Sequence, residues 1–236
     1  MASKSKIREI YEADIYTHPK FSEGVRLKKR KAKESRNRKA LAQINEHVKL
    51  RSDYRVLDIG CGRGDFLSLL PVKNKYGVEI NPKEVKRARA IGIDARALDV
   101  ENDRLPYPDN YMDLILCMEV LEHLFNPSLL MSEMKRVLKK GGHIYATVPN
   151  DLYWLGSRMR VFFGKPFIKY AKGALHLHIK FFNKEVLSNL FEEAGFKIVY
   201  AGGFHSKSFP ASLEKFFAAR FTNLFVSTYS IVAKKP

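Results

Sequence analysis

Three glycines at alternate positions, Gly60, Gly62 and Gly64, directly follow a short apolar run at residues 55–59. Glycine lets a main chain turn with positive φ and come close to a bound molecule. A helix that begins after such a turn offers N–H groups to the polar groups of a ligand, and Asp65 is a residue type that suits a helix N-terminus. The sequence therefore predicts a strand, a tight glycine turn, a helix from Asp65, and a nucleoside-like ligand held at the turn.

The rest of the chain alternates between strand-like and helix-like patterns. Further strands are predicted at residues 75–80, 95–98, 112–118, 143–148, 197–201 and 226–233, and further helices after Pro82, over 129–138 and over 183–194. Such alternation predicts an α/β fold with a mostly parallel sheet and helices on both of its faces. Residues 150–180 interrupt the alternation with aromatic and basic residues, and we predict that they form a lid inserted after the fifth strand.

Acidic residues accompany the glycine turn at the ends of three predicted strands. The turn has the spacing G-x-G-x-G, whereas pyrophosphate-binding folds, the main rival interpretation, use G-x-G-x-x-G. Asp58, before the turn, is suited to the amino group of a methionine moiety, and Glu79 to both hydroxyls of a ribose. Asp99 can accept from an adenine amino group while Val100 packs against the ring. This combination favours S-adenosylmethionine over a nicotinamide cofactor.

Five stretches resemble the successive motifs of class I S-adenosylmethionine-dependent methyltransferases: VLDIGCGRG, YGVEIN, LDV, DLILCMEVLEHL and RVLKKGGHIYATVPN, within residues 54–195. The resemblance implies a Rossmann-like seven-stranded sheet with the last strand antiparallel. It also implies that the cofactor lies across the carboxyl ends of the first strands and that Cys117 and Met118 contact it. The cofactor-binding residues expected in this way are Asp58, Gly60, Cys61, Gly62, Gly64, Glu79, Ile80, Asp99, Val100, Cys117 and Met118.

A second group of polar residues follows the fourth predicted strand. If this segment is helical, Glu119, Glu122 and His123 share one face of the helix, and His178 comes later, at the end of the predicted lid. The stretch CMEVLEH resembles ubiquinone-pathway O-methyltransferases, and ExxEH with a later HxH resembles small-RNA 2′-O-methyltransferases. Both resemblances imply a divalent metal held by these four residues. The alternative is a metal-free site in which His123 only packs, or in which Glu119, His123 or His178 takes a proton from the acceptor.

The composition bears on the partners of the protein and on its location in the cell. The net charge of +17 favours an anionic acceptor, a nucleic acid or an anionic membrane surface. The alternative is that the basic residues form a solvated helix face without a partner. Ten of the basic residues fall between Lys20 and Lys39, within a basic segment (residues 1–53) that we predict to be helical and to precede a methyltransferase domain at residues 54–236. The two cysteines suggest neither a disulfide nor a zinc site. Without an apolar signal sequence or a long apolar run, a cytoplasmic location is expected.

Three functions are compatible with these features. The first is methylation of a hydroxyl or amine on a small-molecule, lipid or glycan acceptor, with the lid closing over it. The second is metal-assisted RNA 2′-O-methylation, which the positive charge favours but for which no separate RNA-binding module is visible. The third is a noncatalytic binding protein that retains the fold, and the presence of Asp58, Glu79 and Asp99 argues against it. The sequence does not determine the oligomeric state.

Overall fold

A computed structural model describes residues 23–150, 179–204 and 226–236, with side chains from residue 33 onward. In chain order the helices are α1 (Glu23–His47), α2 (Pro82–Ala90), α3 (Ser128–Val137) and α4 (Lys184–Glu193). The strands are β1 (Arg55–Ile59), β2 (Asn74–Glu79), β3 (Asp94–Ala97), β4 (Met112–Met118), β5 (Leu138–Pro149), β6 (Lys197–Phe204) and β7 (Thr228–Lys234). The predicted lid, apart from Asn150, Ile179 and Lys180, lies outside the described residues.

All seven strands form one sheet in the order β3-β2-β1-β4-β5-β7-β6. The strands from β3 to β5 pair in parallel, whereas β7 is inserted between β5 and β6 and runs antiparallel to both. The seven-stranded Rossmann-like sheet with an antiparallel last strand is therefore confirmed. In an open parallel sheet, ligands bind outside the carboxyl ends of the strands, and the glycine turn lies at that edge.

The apolar residues divide between the two faces of the sheet. Neighbouring positions of β4 point in opposite directions, so Leu114 and Leu116 pack with α1 and α2, whereas Ile115 and Cys117 pack with α3 and α4. Because β1 and β4 are covered on both faces, most of their residues are buried, and six of the seven residues of β4 are apolar. The prediction of helices on both faces is confirmed.

Helix α1 belongs to this packing through its second half. Ala40 and Ile44, together with Val48 just beyond the helix, are buried against the first face. The hydroxyl of Tyr145 donates to Gln43 over 2.8 Å, and Gln43 donates to Tyr200 over 3.0 Å. The division between residues 1–53 and 54–236 stays a prediction. None of the helices within the described ranges combines the length and apolar character needed to cross a bilayer.

Two sequence-based element boundaries are wrong. The predicted helix from Asp65 is only a 3-10 turn over Leu67–Leu69, and the side chain of Asp65 binds Lys33 and Arg63 instead of capping a helix. The fifth strand begins at Leu138 and not at His143, and its pairing with β4 shifts register between Met112 and Leu114. The Gly141-Gly142 pair therefore lies in an irregularity inside β5 and does not end α3.

Candidate active site

The glycine turn connects β1 to the 3-10 turn through three left-handed residues. Gly60, Gly62 and Gly64 have φ values of +70°, +51° and +84°. The N–H groups of Gly60 and Cys61 both donate to the carbonyl of Val78 in β2, over 2.8 and 3.1 Å. A Cβ atom on Gly60 would lie 2.7 Å from Cγ2 of Val120. The turn is thus held against β2 on one side and against the segment after β4 on the other.

Glu79 ends β2 and lies beside this turn. Its two carboxylate oxygens accept from the N–H groups of Gly62, over 3.0 Å, and Asn81, over 2.9 Å. Burial raises the pKa of Glu79, and the two backbone hydrogen bonds oppose that rise. The carboxylate is therefore fixed at the end of β2, next to the turn, where a ribose would meet it.

Asp58, the residue of β1 just before Ile59, is buried at 3% exposure. Burial, with a smaller contribution from the charge of Glu79, raises the pKa of Asp58 to about 8. A buried carboxylate without a cation beside it is costly, and a bound cation reduces that cost. The position therefore suits a positively charged group of a ligand.

The other residues expected to contact the cofactor occupy the same edge. Asp99 follows β3, and its side chain accepts from the N–H of Glu101 and from Asn102, over 3.1 and 2.8 Å. Ile80 and Val100 are partly buried, and Met118 at the end of β4 packs on the first face of the sheet. Burial raises the thiol pKa of Cys61 and Cys117, so both remain neutral and pack as apolar groups.

Glu119 has a left-handed backbone, with φ of +57°, directly after β4. Its N–H donates to the carbonyl of Thr147 over 2.9 Å, and its carboxylate accepts from the Thr147 hydroxyl over 3.0 Å. A non-glycine residue in this region costs on the order of 1 kcal/mol and persists where surrounding contacts impose it. Two contacts to Thr147 in β5 supply that constraint here.

The helix predicted to unite Glu119, Glu122 and His123 does not form. Only Leu121–His123 are helical, as a single 3-10 turn, so the left-handed Glu119 lies outside it. Glu122 is buried, and its side chain lies 3.7 Å from Nε2 of His123. Within the described ranges, no three His, Cys, Asp or Glu residues come together as candidate metal ligands. His176 and His178 lie outside those ranges.

The chain re-enters the described part beside this segment. The N–H groups of Ile179 and Lys180 donate to the carbonyl of Glu122, over 2.8 and 3.2 Å. The sequence positions immediately after His178 are therefore anchored at the carboxyl edge of the sheet, close to Glu122.

Helix α1 contributes two cations that the sequence motifs did not indicate. Lys33 Nζ lies 2.5 Å from a carboxylate oxygen of Asp65, and Nη1 of Arg36 lies 3.4 Å from Oε2 of Glu119. The sequence indicates only that this helix is basic. The spacing of Ala40, Ile44 and Val48 was the available signal that the helix packs against the sheet.

Comparison with known proteins agrees with this geometry. The family described as "Methyltransferase domain" matches residues 27–201, which cover α1 and the sheet through most of β6. The chain belongs to this methyltransferase family. The resemblance to class I S-adenosylmethionine-dependent methyltransferases is therefore confirmed, and the family implies S-adenosylmethionine as the cofactor.

Individual proteins are similar to this chain over part or all of their length. An uncharacterized protein of Methanocaldococcus jannaschii is 31% identical over 64% of this chain and 58% of its own. A ubiquinone biosynthesis O-methyltransferase of Colwellia psychrerythraea is 26% identical over 65% of each chain. The chain thus spans less than two thirds of these relatives. A solved SAM-dependent methyltransferase of Thermotoga maritima superposes with a TM-score of 0.64 at 21% identity, over 98% of this chain and all of the other, and so shares the fold.

Proposed function

We propose that the protein transfers a methyl group from S-adenosylmethionine to a hydroxyl or amine of a small-molecule, lipid or glycan acceptor. The observation that carries the proposal is the arrangement of Asp58, the glycine turn and Glu79 at one edge of the sheet in a chain of the methyltransferase family. The similarity to a ubiquinone biosynthesis O-methyltransferase supports a small-molecule acceptor.

Each part of the cofactor has a complementary group in the proposed site. Glu79 would accept hydrogen bonds from the ribose hydroxyls, and Asp99 would accept one from the adenine amino group. The adenine ring would lie between the apolar side chains of Ile80 and Val100. Asp58 would bind the ammonium group of the methionine moiety next to the glycine turn at Gly60 and Gly62. Cys61 and Gly64 complete the turn, and Met118 would give the sulfonium an apolar neighbour. Cys117 is fully buried on the opposite face of the sheet and would support this edge by packing. An apolar neighbour favours the transition state, because the positive charge on the sulfur decreases as the methyl group is transferred.

The bound cofactor supplies a methyl group on a positively charged sulfur, and the chain has two tasks besides binding it. The first is to hold the acceptor in line with the carbon–sulfur bond, since positioning supplies most of the acceleration in such displacements. The second is to take the proton that the acceptor oxygen or nitrogen loses. Glu119 and His123 lie after β4, on the acceptor side, and either can take this proton. His178 is a further candidate outside the described residues.

A divalent metal on Glu119, Glu122, His123 and His178 is the alternative mechanism. The three described members do not assemble as a ligand set, because the left-handed turn separates Glu119 from the 3-10 turn that carries the other two. The described residues therefore do not fit a divalent metal.

The positive charge supports an anionic acceptor or an anionic surface that carries it. The part of α1 at residues 26–31 contains five Lys and Arg residues. Lys33 and Arg36 contact residues at the carboxyl edge of the sheet. The part of α1 that precedes Lys33, back to Glu23, is about 15 Å long. We therefore include peripheral contact with an anionic membrane and a cytoplasmic location in the proposal. RNA 2′-O-methylation is the second candidate, which the same charge favours.

A radiolabelled methyl-transfer screen over fractionated cell lysate, with and without chelator, tests the proposal. Label in an organic-extractable or small polar product is the expected result, and it should be insensitive to chelator. Label only in RNA would replace the acceptor class with the second candidate. Loss of label on adding chelator would restore the metal mechanism. Glu79→Ala is the matched control, since it should remove cofactor binding and all labelling.

Calorimetry separates the enzyme from a noncatalytic binding protein. The protein should bind S-adenosylmethionine with a dissociation constant of about 1 mM or lower, since enzymes commonly bind their substrates in the range from about 1 μM to 1 mM. Failure to bind at millimolar concentration would overturn the proposed cofactor. His123→Ala should preserve cofactor binding and lower turnover, and unchanged turnover would assign His123 a packing role.

A further inference from the structure

Glu101, in the loop that follows β3, contacts the segment that follows β4. Its Oε1 atom accepts hydrogen bonds from the N–H groups of Phe125 and Asn126, over 2.7 and 3.0 Å. Hydrogen bonds from backbone N–H groups to a carboxylate are among the stronger ones in proteins. No sequence motif points to this contact, because the partners are 24 and 25 positions apart along the chain.

The two joined segments come from strands that are not neighbours. In the sheet, β2 and β1 lie between β3 and β4. With neighbouring strands about 4.8 Å apart, β3 and β4 are separated by about 14 Å. Val100 and Leu124 pack in the same core cluster, which places the contact on the face that α3 covers. The contact through Glu101 therefore passes the ends of the two strands that carry Glu79 and the glycine turn.

The loop after β3 is built around the side chain of Asp99. One carboxylate oxygen of Asp99 accepts from the N–H of Glu101, over 3.1 Å, and the other accepts from Asn102, over 2.8 Å. A carboxylate has about four acceptor positions. Asp99 can therefore also accept from a bound adenine without releasing Glu101, and such a ligand would add a partner to the loop that directs Glu101.

The segment at residues 119–126 is held at three places. Its start binds Thr147, its middle binds the chain where it re-enters the described part, and its end binds Glu101. Among these three contacts, the one through Glu101 comes from the side of the site proposed for adenine. Phe125 and Asn126 are exposed, so water can replace Glu101 and its loss leaves the core intact.

We propose that Glu101 is a positioning residue that couples occupation of the adenine site to the segment that carries His123. Adenine at Asp99 stabilises the loop after β3, and Glu101 extends this order to the 3-10 turn through the backbone of Phe125. His123 is then fixed relative to the bound cofactor before the acceptor binds. The inference rests on the proposed function in its choice of cofactor and in the position of the adenine.

Hydrogen exchange of the full chain, measured residue by residue by NMR, tests the coupling without an acceptor. The N–H groups of His123 and Leu124 donate to carbonyls three positions earlier and not to Glu101, so their exchange reports how firmly the turn is held. Saturating S-adenosylhomocysteine, which lacks the transferable methyl group, should slow their exchange about fivefold or more. Saturating adenosine should have the same effect, because the coupling begins at the adenine.

Substitutions of Glu101 separate coupling from a structural role. Glu101→Ala should remove the protection and weaken S-adenosylhomocysteine binding, measured by calorimetry, by the same factor, because a coupling between two sites is reciprocal. Glu101→Gln should restore part of both effects, since its amide oxygen can still accept from both N–H groups. Glu193→Ala, the same change at an exposed position at the end of α4, should alter neither.

Several results would overturn the coupling. One is equal protection by the ligand in Glu101→Ala and in the unchanged protein, which is what a merely structural role produces. Others are an absence of protection in the unchanged protein, and a loss of protection in Glu101→Ala without a loss of affinity. Protection by S-adenosylhomocysteine but not by adenosine would exclude the route through adenine. If the unchanged protein bound neither ligand, the proposed cofactor would itself be wrong, which differs from a failure confined to Glu101.

Discussion

At the scale of single residues, the carboxyl group of Asp58 links the stability of the fold to its proposed ligand. The group is buried, and burial raises its pKa to about 8. Below that pH the free protein holds it mainly protonated, whereas a bound ammonium favours the carboxylate. The ionised form of Asp58 is thus more favourable beside a bound cation than in the free protein.

Cofactor binding should therefore release a proton. At pH 6.5–7 we expect up to about one proton released per bound S-adenosylhomocysteine, since the carboxyl of Asp58 ionises against the ligand's ammonium. Calorimetry in two buffers with different ionisation enthalpies measures this number. Asp58→Asn should abolish the release and weaken binding. The same proton release in Asp58→Asn would assign it to another group.

The same residue should affect the pH dependence of folding. A pKa raised in the folded state means that the contribution of Asp58 to stability is full below pH about 4 and is lost as the pH rises towards 8. Over that window the free energy of unfolding should fall by up to about 1.4 kcal/mol per pH unit from this residue. Denaturant unfolding of the free protein at several pH values should show this slope, and Asp58→Asn should flatten it.

The glycine turn offers a matched pair of substitutions. Gly60→Ala places a Cβ 2.7 Å from Val120, whereas Gly62→Ala meets no atom within 4 Å, although both have positive φ. Both should lose about 1 kcal/mol of stability from the left-handed backbone, and Gly60→Ala a further 1–3 kcal/mol from overpacking. Chemical denaturation measures both losses. Equal losses would indicate that Val120 moves aside without cost.

At the scale of elements, α1 is the part of the chain whose role the sequence did not indicate. Composition described it as a basic segment ahead of the domain, and the structure packs its second half against β5 and β6 and brings its Lys33 and Arg36 to the carboxyl edge. The basic residues were visible in the sequence. Their partners were not, because Asp65 and Glu119 are distant along the chain and become neighbours only through the sheet.

Removing buried volume from α1 should destabilise the whole sheet. Ile44 is fully buried in the cluster that α1 shares with β1 and β4, whereas Asn45 is exposed. We expect Ile44→Ala to lower the free energy of unfolding by about 2–5 kcal/mol in one cooperative transition, and Asn45→Ala to change it by less than about 0.5 kcal/mol. Two separate transitions would mean that α1 folds apart from the domain.

At the scale of the whole molecule, the net charge of +17 and the position of α1 direct attention to anionic partners. Electrostatic attraction to a surface falls as salt shortens the Debye length, from about 14 Å at 50 mM to about 7 Å at 200 mM. The same charge would act on a membrane, a polynucleotide or a phosphorylated acceptor. The carboxyl edge is the part of the surface where this attraction would assist methyl transfer.

Vesicle flotation tests the contribution of α1 to this attraction. The protein should bind vesicles that contain anionic lipid at 50 mM salt and largely dissociate at 200 mM, with no binding to neutral vesicles. Replacing Lys28, Lys29 and Arg30 by Gln should weaken binding by roughly tenfold or more. Replacing the exposed Lys73, Lys83 and Lys86 by Gln removes the same charge elsewhere and should have a smaller effect. Equal effects would indicate general attraction without a role for α1.

The sequence by itself determined the fold class and the cofactor family, because both depend on local patterns. A glycine turn after an apolar strand, and an acid at the end of each of the next two strands, are short-range features that neighbouring residues specify. The resemblance to the family implied seven strands with the last one antiparallel, and the structure agrees.

Only the tertiary structure decided how the acceptor side of the site is built. The left-handed turn at Glu119 depends on Thr147, which is 28 positions away, and its ion pair depends on Arg36 in α1. The helical pattern at residues 119–123 predicted one shared face, but pairing with β5 breaks that helix at its first residue. At Glu119, contacts between distant segments override the local preference, and they place this side chain at the end of β4.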